Sequence, residues 1–190
     1  MSNNIIGKKI QTLCADKNIS LDQVAELSGL RKEQIQLILD SDNIPSLAPL
    51  IKIARALGVR LGTFLDDSKA LGPVVFKSEE SAKPVTFSSQ LSSANSHLDF
   101  TALASKKSGR AMEPFLINVV TDCEQKPVLS SHEGEEFIYV LEGSIQVNYG
   151  KDIYVLHTGE SIYYDSIVDH LVTSHACETA KILAVVYTPL

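Results

Sequence analysis

The apolar residues of this 190-residue chain change their spacing about a third of the way along, and this change constrains the fold most. Up to about residue 65 they recur every three to four positions, as on the buried face of a helix. Beyond residue 85 they alternate with polar residues between turns, as in strands. One layer of structure cannot satisfy both periods. The sequence therefore predicts an α+β multidomain protein, with an all-α domain followed by an all-β domain.

The segment between the two patterns is rich in glycine, proline, serine and charge, which is typical of a linker. We therefore predict a helical domain over residues 1–67, a linker over 68–85 and a β domain over 86–190.

Two neighbouring helices of the first domain have clear start and stop signals. One begins at Ser20, which forms a capping box with Gln23, and ends at Gly29. The next covers Arg31–Leu39. Two short helices joined by a tight glycine turn are the geometry of a helix-turn-helix, whose second helix enters the major groove of DNA.

The pattern SLDQVAELSGL…QIQLIL…IPSLAPLIKIARALGV resembles the Xre (lambda-repressor-like) DNA-binding domain over residues 5–66. The resemblance implies that the exposed face of the helix over Arg31–Leu39, which is the third helix of the domain, contacts DNA. Lysine can donate to guanine, glutamine can pair with adenine and glutamate can accept from cytosine. The predicted DNA-binding residues are Arg31, Lys32, Glu33, Gln34, Gln36 and Leu37. The alternative is that they form an ordinary solvated helix face.

One feature departs from the Xre pattern. Family members usually carry glycine or basic residues just after the third helix, whereas this chain has Asp40-Ser41-Asp42-Asn43. Acidic groups beside phosphates lower the affinity for DNA. The sequence therefore leaves open whether the domain binds DNA weakly or serves dimerisation instead.

Charge and composition also limit the kinds of partner and compartment that the protein can have. The chain carries 17 Lys and Arg against 23 Asp and Glu, which argues against nucleic-acid binding by bulk charge. Residues 1–60, however, hold eight basic against six acidic residues, so a local DNA-binding surface is open. The sequence shows no membrane-span or signal-peptide pattern, and its three cysteines are widely spaced (Cys14, Cys123 and Cys177). We expect a cytoplasmic protein with reduced thiols and no membrane partner.

Three residues of the β domain are candidate metal ligands. In an extended strand, His132 and Glu136 have the same parity and point to one face, and a hairpin would bring His170 back beside them. Two histidines and one carboxylate can form a facial triad for Fe(II) or another divalent ion, such as Zn, Mn or Ni. The alternative is a set of hydrogen-bonded interior residues without metal.

The stretches SHEGEEFIYVLEG and GESIYYDSIVDH resemble the two cupin motifs. The resemblance covers roughly residues 97–190 and implies a double-stranded β-helix, or jelly roll, whose lumen holds the site. Three positions depart from it: Ser130 stands where a second histidine would lie, Asp165 where proline is usual and Ser174 where asparagine is usual. A helix-turn-helix domain followed by a cupin domain resembles the Xre–cupin family of small bacterial regulators.

The sequence favours a transcriptional regulator that binds a DNA operator as a homodimer or homotetramer and a small-molecule effector in the cupin lumen. The alternative is a mononuclear iron enzyme related in layout to hydroxypropylphosphonate epoxidase, whose triad matches His132, Glu136 and His170. Other positions of that enzyme do not match: Asn18 replaces its lysine, and His97, Leu98 and Phe100 replace its tyrosines. A metal-free cupin that binds only a metabolite or a partner is the third interpretation.

Overall fold

The computed structural model describes residues 4–40, 47–65, 72–77, 85–87, 97–120, 129–176 and 178–189. Helices occupy the first part of this range and strands the second. The helices are α1 (Ile5–Lys17), α2 (Leu21–Ser28), α3 (Lys32–Asp40), α4 (Leu47–Ala56) and α5 (Gly62–Leu65). The strands are β1 (Val85–Phe87), β2 (His97–Ala102), β3 (Met112–Val120), β4 (Glu135–Glu142), β5 (Ser144–Tyr149), β6 (Asp152–His157), β7 (Ser161–Asp165), β8 (His170–Ser174) and β9 (Ala180–Tyr187). This order confirms the predicted fold class.

The turn between α2 and α3 has the predicted caps. The Ser20 hydroxyl accepts from the Gln23 amide at 3.2 Å, and the Gln23 side chain accepts from the Ser20 amide at 2.8 Å. Gly29 ends α2 in the left-handed conformation, with φ of 67°. These contacts fix where α2 ends and α3 begins. Residues 41–43 of the acidic segment lie outside the described residues.

Close packing of α1 against the end of α3 holds the helical domain together. The buried Asn4 side chain accepts from the Gly7 amide at 2.7 Å and donates to the Ile38 carbonyl at 2.6 Å and the Leu39 carbonyl at 3.0 Å. A Cβ on Gly7 would lie 2.6 Å from the Leu39 carbonyl oxygen, so this approach requires glycine. The core beneath is apolar, and its most buried members include Ile10, Val24, Ile35, Ile38, Leu50, Ile53 and Phe64.

The strands form two antiparallel sheets. The larger has the order β1-β2-β3-β9-β4-β7, and the smaller has the order β6-β5-β8. Alternate side chains of β3, β4 and β9 are buried, which places the core on one face of the larger sheet. This arrangement agrees with the predicted jelly roll.

Strands fill most of the described residues beyond 85, as the alternating apolar pattern predicts. Glycines with positive φ lie in the turns before β5, after β5 and after β6, at Gly143, Gly150 and Gly159. Gly143 also leaves no room for a side chain, because a Cβ there would lie 2.8 Å from the Thr179 carbonyl oxygen. The alternating pattern continues past Phe87, but residues 88–96 lie outside the described residues, as do Cys123 and Cys177.

The domain boundaries stay a prediction, since most of the proposed linker is outside the described ranges. Cys14 is a free thiol buried in α1, and burial raises its pKa. None of the helices in the described ranges has the length and apolar character needed to cross a membrane.

Candidate functional site

Three strand-domain residues meet inside the barrel. His132 precedes β4, Glu136 lies in β4, and His170 begins β8. All three are buried, and one ligand atom from each lies within 4.8 Å of the others. The structure thus brings together the three predicted metal ligands.

The route by which His132 reaches Glu136 differs from the prediction. An extended strand from 132 to 136 was expected, but β4 begins only at Glu135, and the chain bends at residues 133–134. Gly134 has φ of 113°, and a Cβ there would lie 1.9 Å from the Tyr187 carbonyl oxygen. In an extended strand, positions four apart are separated by about 13 Å, too far for the two side chains to bond. The parity argument was therefore wrong, and the glycine bend is what folds His132 onto Glu136.

Both histidines are oriented by backbone carbonyls. His132 Nδ1 lies 3.1 Å from the Glu133 carbonyl oxygen, and His170 Nδ1 lies 2.8 Å from the Val168 carbonyl oxygen. Since a carbonyl only accepts, each Nδ1 carries a hydrogen. Each Nε2 faces Glu136 Oε1, at 2.8 Å for His132 and 3.5 Å for His170, and donates to that carboxylate when it too is protonated. Metal-binding histidines usually hold their second nitrogen this way. The donor set therefore fits a divalent cation.

The same contacts set the charges of the cluster. Burial would raise the pKa of Glu136, but hydrogen bonds from His132 and His170 outweigh it and lower that pKa well below its usual range. Burial would lower the pKa of His170, but the hydrogen bond to Glu136 and its charge raise it. The carboxylate is therefore ionised at neutral pH, as a metal ligand must be.

Sequence reasoning missed two residues near the cluster. Tyr164, opposite Glu136 in the β4–β7 pairing, donates its hydroxyl to Glu136 Oε2 at 2.6 Å. Burial and the Glu136 charge raise the pKa of this tyrosine, so it remains a donor. Ser166 is fully buried, its carbonyl accepts from the His132 amide, and its hydroxyl has no partner among the described residues. Finding either residue required the register of β4 against β7.

The position of the missing cupin histidine has a backbone role instead. Ser130 forms an isolated bridge with His170, in which each amide donates to the other's carbonyl, at 2.8 and 2.9 Å. This bridge holds the start of β8 beside the segment that carries His132. The other three histidines lie elsewhere in the fold: His97 begins β2, His157 ends β6 and His175 follows β8.

The predicted DNA-binding residues occupy the first turns of α3. Arg31, Lys32, Glu33 and Gln36 are exposed, whereas Gln34 and Leu37 are half-buried. Lys32 pairs with Asp22 of α2, and Gln36 donates to Asp40 at 2.8 Å. The Gln34 side chain accepts from the Arg31 amide at 3.0 Å, which caps the helix. Gln34 thus has a structural contact that the sequence did not suggest.

Two contacts join the helical domain to the barrel. Arg55 of α4 forms an ion pair with Glu133, the residue whose carbonyl orients His132. Arg60 donates to the Gly109 carbonyl at 2.7 Å. The His132–Glu136–His170 cluster and the helix-turn-helix domain are therefore linked through a short chain of residues.

Comparison with known families identifies both parts. Residues 9–70 match the family model of the Cro/C1-type helix-turn-helix DNA-binding domain. Residues 123–186 match that of the cupin domain. The chain therefore contains a Cro/C1-type helix-turn-helix domain and a cupin domain. The predicted Xre–cupin resemblance is thereby confirmed.

Two curated proteins are similar in sequence to this chain over most of its length. The HTH-type transcriptional regulator SutR of Escherichia coli K12 is 21% identical over 184 residues, which are 97% of this chain and 95% of SutR. The (S)-2-hydroxypropylphosphonic acid epoxidase of Streptomyces wedmorensis is 28% identical over 157 residues, 74% of this chain and 73% of the enzyme.

Solved structures show the same fold. An HTH_3 family transcriptional regulator from Vibrio cholerae has a TM-score of 0.69 and 22% identity, with coverage of 98% of this chain and 97% of that one. The structure of the epoxidase has a TM-score of 0.51 and 21% identity, with coverage of 98% of both chains. Both similarities extend over helices and barrel together.

Proposed function

We propose that this chain is a DNA-binding transcriptional regulator, in which the helical domain binds an operator and the cupin lumen binds a small-molecule effector. The observation that carries the proposal is the capped α2–turn–α3 unit, which presents four exposed polar residues at the start of α3: Arg31 just before the helix, and Lys32, Glu33 and Gln36 in its first turns. The full-length similarity to the regulator SutR supports it. A regulator of this kind acts in the cytoplasm, where the DNA is.

The exposed residues of α3 have the chemistry to read base edges. Lys32 and Gln36 are bound to carboxylates in the free protein, and both partners are local and exposed. Surface pairs of this kind contribute little, about 0–1 kcal/mol, so DNA can replace them at low cost. Arg31 and Glu33 are beside them, and Leu37 and Gln34 complete the proposed DNA-binding set.

Substitution of the two central residues tests the proposal. We expect Lys32→Ala with Gln36→Ala to weaken binding to a selected operator by at least about 30-fold, because two base contacts worth about 1–3 kcal/mol each are lost. Fluorescence anisotropy with labelled duplex would measure this. Lys8→Ala, an exposed lysine of α1, is the matched control and should change affinity little. Equal affinity of the double variant and the wild type would refute the assignment of α3.

His132, Glu136 and His170 are the residues that would hold a divalent cation, such as Fe, Zn, Mn or Ni. A cation bound by three protein ligands offers open positions to oxygen or nitrogen atoms of an effector. Tyr164 then fixes the Glu136 carboxylate, and the buried Ser166 hydroxyl is a candidate donor to a bound effector.

A second copy of the chain is the proposed partner of the exposed barrel strands. Three consecutive residues of β6, namely Ile153, Tyr154 and Val155, are exposed, as is Tyr163 on β7. Both strands lie at sheet edges, where unpaired backbone groups can bond another chain. A two-fold assembly suits a palindromic operator. Light scattering should report a dimer or tetramer, and Ile153→Asp should shift it toward monomer.

A mononuclear iron enzyme is the second candidate, favoured by the His–Glu–His cluster and the similarity to the epoxidase. Two residues that depart from that enzyme have structural contacts here. Asn18 ends α1 in the left-handed conformation, and Phe100 is buried edge-on against Phe115 at 5.6 Å. Oxygen consumption by the iron-loaded protein with hydroxypropylphosphonate would favour the enzyme, whereas selective DNA binding favours the regulator.

A further inference from the structure

A cavity of about 190 Å³ lies between the helical domain and the barrel. Residues of α2 and α4 form one wall, and the other comes from the loop before β4, the turn after β7 and the residues after β9. An apolar cavity of about 150 Å³ can hold benzene. The space is therefore sufficient for a ligand the size of a small ring.

Most of the charged side chains that line this cavity are basic. Lys52, Arg55 and Arg60 line it, and Glu133 is the one carboxylate among the lining residues that the structure describes. Glu133 pairs with Arg55, and Arg60 donates to a carbonyl. Lys52 is half-buried and has no ion pair within the described ranges. The site therefore has an excess of positive charge that an anion would neutralise.

The apolar lining includes two unusually exposed side chains. Leu27 of α2 and Ile167 of the turn after β7 are each 63% exposed, and both line the cavity. A ligand with an apolar body would cover both. Ligand pockets commonly combine such apolar walls with a few charged groups that fix orientation.

We propose that this cavity binds a small organic anion, with its carboxylate or phosphonate at Lys52 and Arg55 and its apolar body between Leu27 and Ile167. The ligand competes with Glu133 for Arg55, and it touches both domains at once. Because His132 also lines the cavity, the proposed anion site extends to the cluster of His132, Glu136 and His170. The inference rests on the proposed function only for its consequence, namely that the ligand changes the pose of the helical domain and hence DNA affinity.

Calorimetric titration of the full chain, without DNA, tests the site. The probes are benzoate and phenylphosphonate, with benzamide as the uncharged control of similar shape. We expect at least one anion to bind with a Kd of about 1 mM or below, and benzamide to bind at least about fivefold more weakly. Lys52→Met should weaken anion binding about two- to fivefold, the range for a partly exposed ion pair.

Two further variants complete the test: one should strengthen anion binding, and the other is a control that should leave anion binding unchanged. Glu133→Gln removes the competing carboxylate and should strengthen anion binding about two- to fivefold. Lys8→Met, an exposed lysine that does not line the cavity, should leave it unchanged. The proposal is overturned if neither anion binds at about 10 mM, if benzamide binds equally well, or if Lys52→Met binds as the wild type does.

The binding assay separates this inference from the proposed function. If the chain bound benzoate but no DNA sequence, the proposed regulatory function would be refuted and the anion site would be supported. A chain that binds an operator but neither anion would do the reverse.

Discussion

The two candidate sites of this molecule are built in opposite ways. The α3 face is exposed, and its side chains contact nearby residues, as Lys32 does with Asp22 and Gln36 with Asp40. The candidate metal-ligand cluster of His132, Glu136 and His170 is buried, and its members come from the loop before β4, from β4 and from β8, with His170 lying 34 positions after Glu136. A surface site can thus be encoded in one short segment, whereas a buried site depends on the pairing of distant strands.

This difference predicts where substitutions act. A change on α3 should alter DNA binding without disturbing the barrel, because its contacts are local. A change in the cluster should alter ligand chemistry and the packing around it, because each member supports the others through buried hydrogen bonds.

Loss of a ligand should give the largest effect. We expect His132→Ala to reduce metal affinity by more than about 100-fold, because outer-shell changes alone cost about 10- to 100-fold. Metal analysis after dialysis against a weak chelator measures this. His157→Ala, at the exposed end of β6, is the control and should retain metal. A wild-type metal content in His132→Ala would show that the ion binds elsewhere.

A substitution at Gly7 should destabilise the helical domain and leave the stability of the β domain unchanged. Gly7→Ala forces a Cβ against the Leu39 carbonyl and the Asn4 side chain, which we expect to cost about 1–3 kcal/mol of helical-domain stability. The melting temperature measured from the helical circular dichroism signal should fall by roughly 4–8 °C for each kcal/mol of lost stability. All six tyrosines lie beyond residue 138, so tyrosine fluorescence reports on the barrel and should not shift.

The control for this substitution is Gly72→Ala, since a Cβ there meets nothing within 4 Å. A common shift in both signals would mean that the helical domain and barrel unfold as one unit, against the predicted domain boundaries.

Much of the fold could be predicted because its signals are local. The capping box at Ser20, the stop at Gly29 and the glycine turns of the strand domain each depend on a few adjacent residues. The candidate triad was predictable from the cupin motifs. The contact of Tyr164 with Glu136 was not, because it depends on the register of β4 against β7. The bend at Gly134 was missed because the constraint on that position, the close approach of the Tyr187 carbonyl, comes from a residue far away in the sequence.

The smallest of these effects concerns the hydrogen bond to the carboxylate. Tyr164→Phe removes one hydroxyl and should lower metal affinity about tenfold, since Glu136 loses the group that orients it. Competition with a chelator of known affinity would measure the change. Tyr163→Phe is the matched control, because the neighbouring tyrosine is exposed and bonds Glu135 instead. An equal effect of both variants would show that Tyr164 has no special role.

Selection of DNA from a random duplex library, using the purified full chain across a salt series, would show whether the helical domain recognises an operator. We expect enrichment of one inverted repeat, with half-sites about one helical turn apart and affinity that falls as salt rises. The acidic residues after α3 should make that affinity modest. Failure to enrich any sequence at the lowest salt, with and without benzoate and divalent metal, would contradict the proposed operator binding.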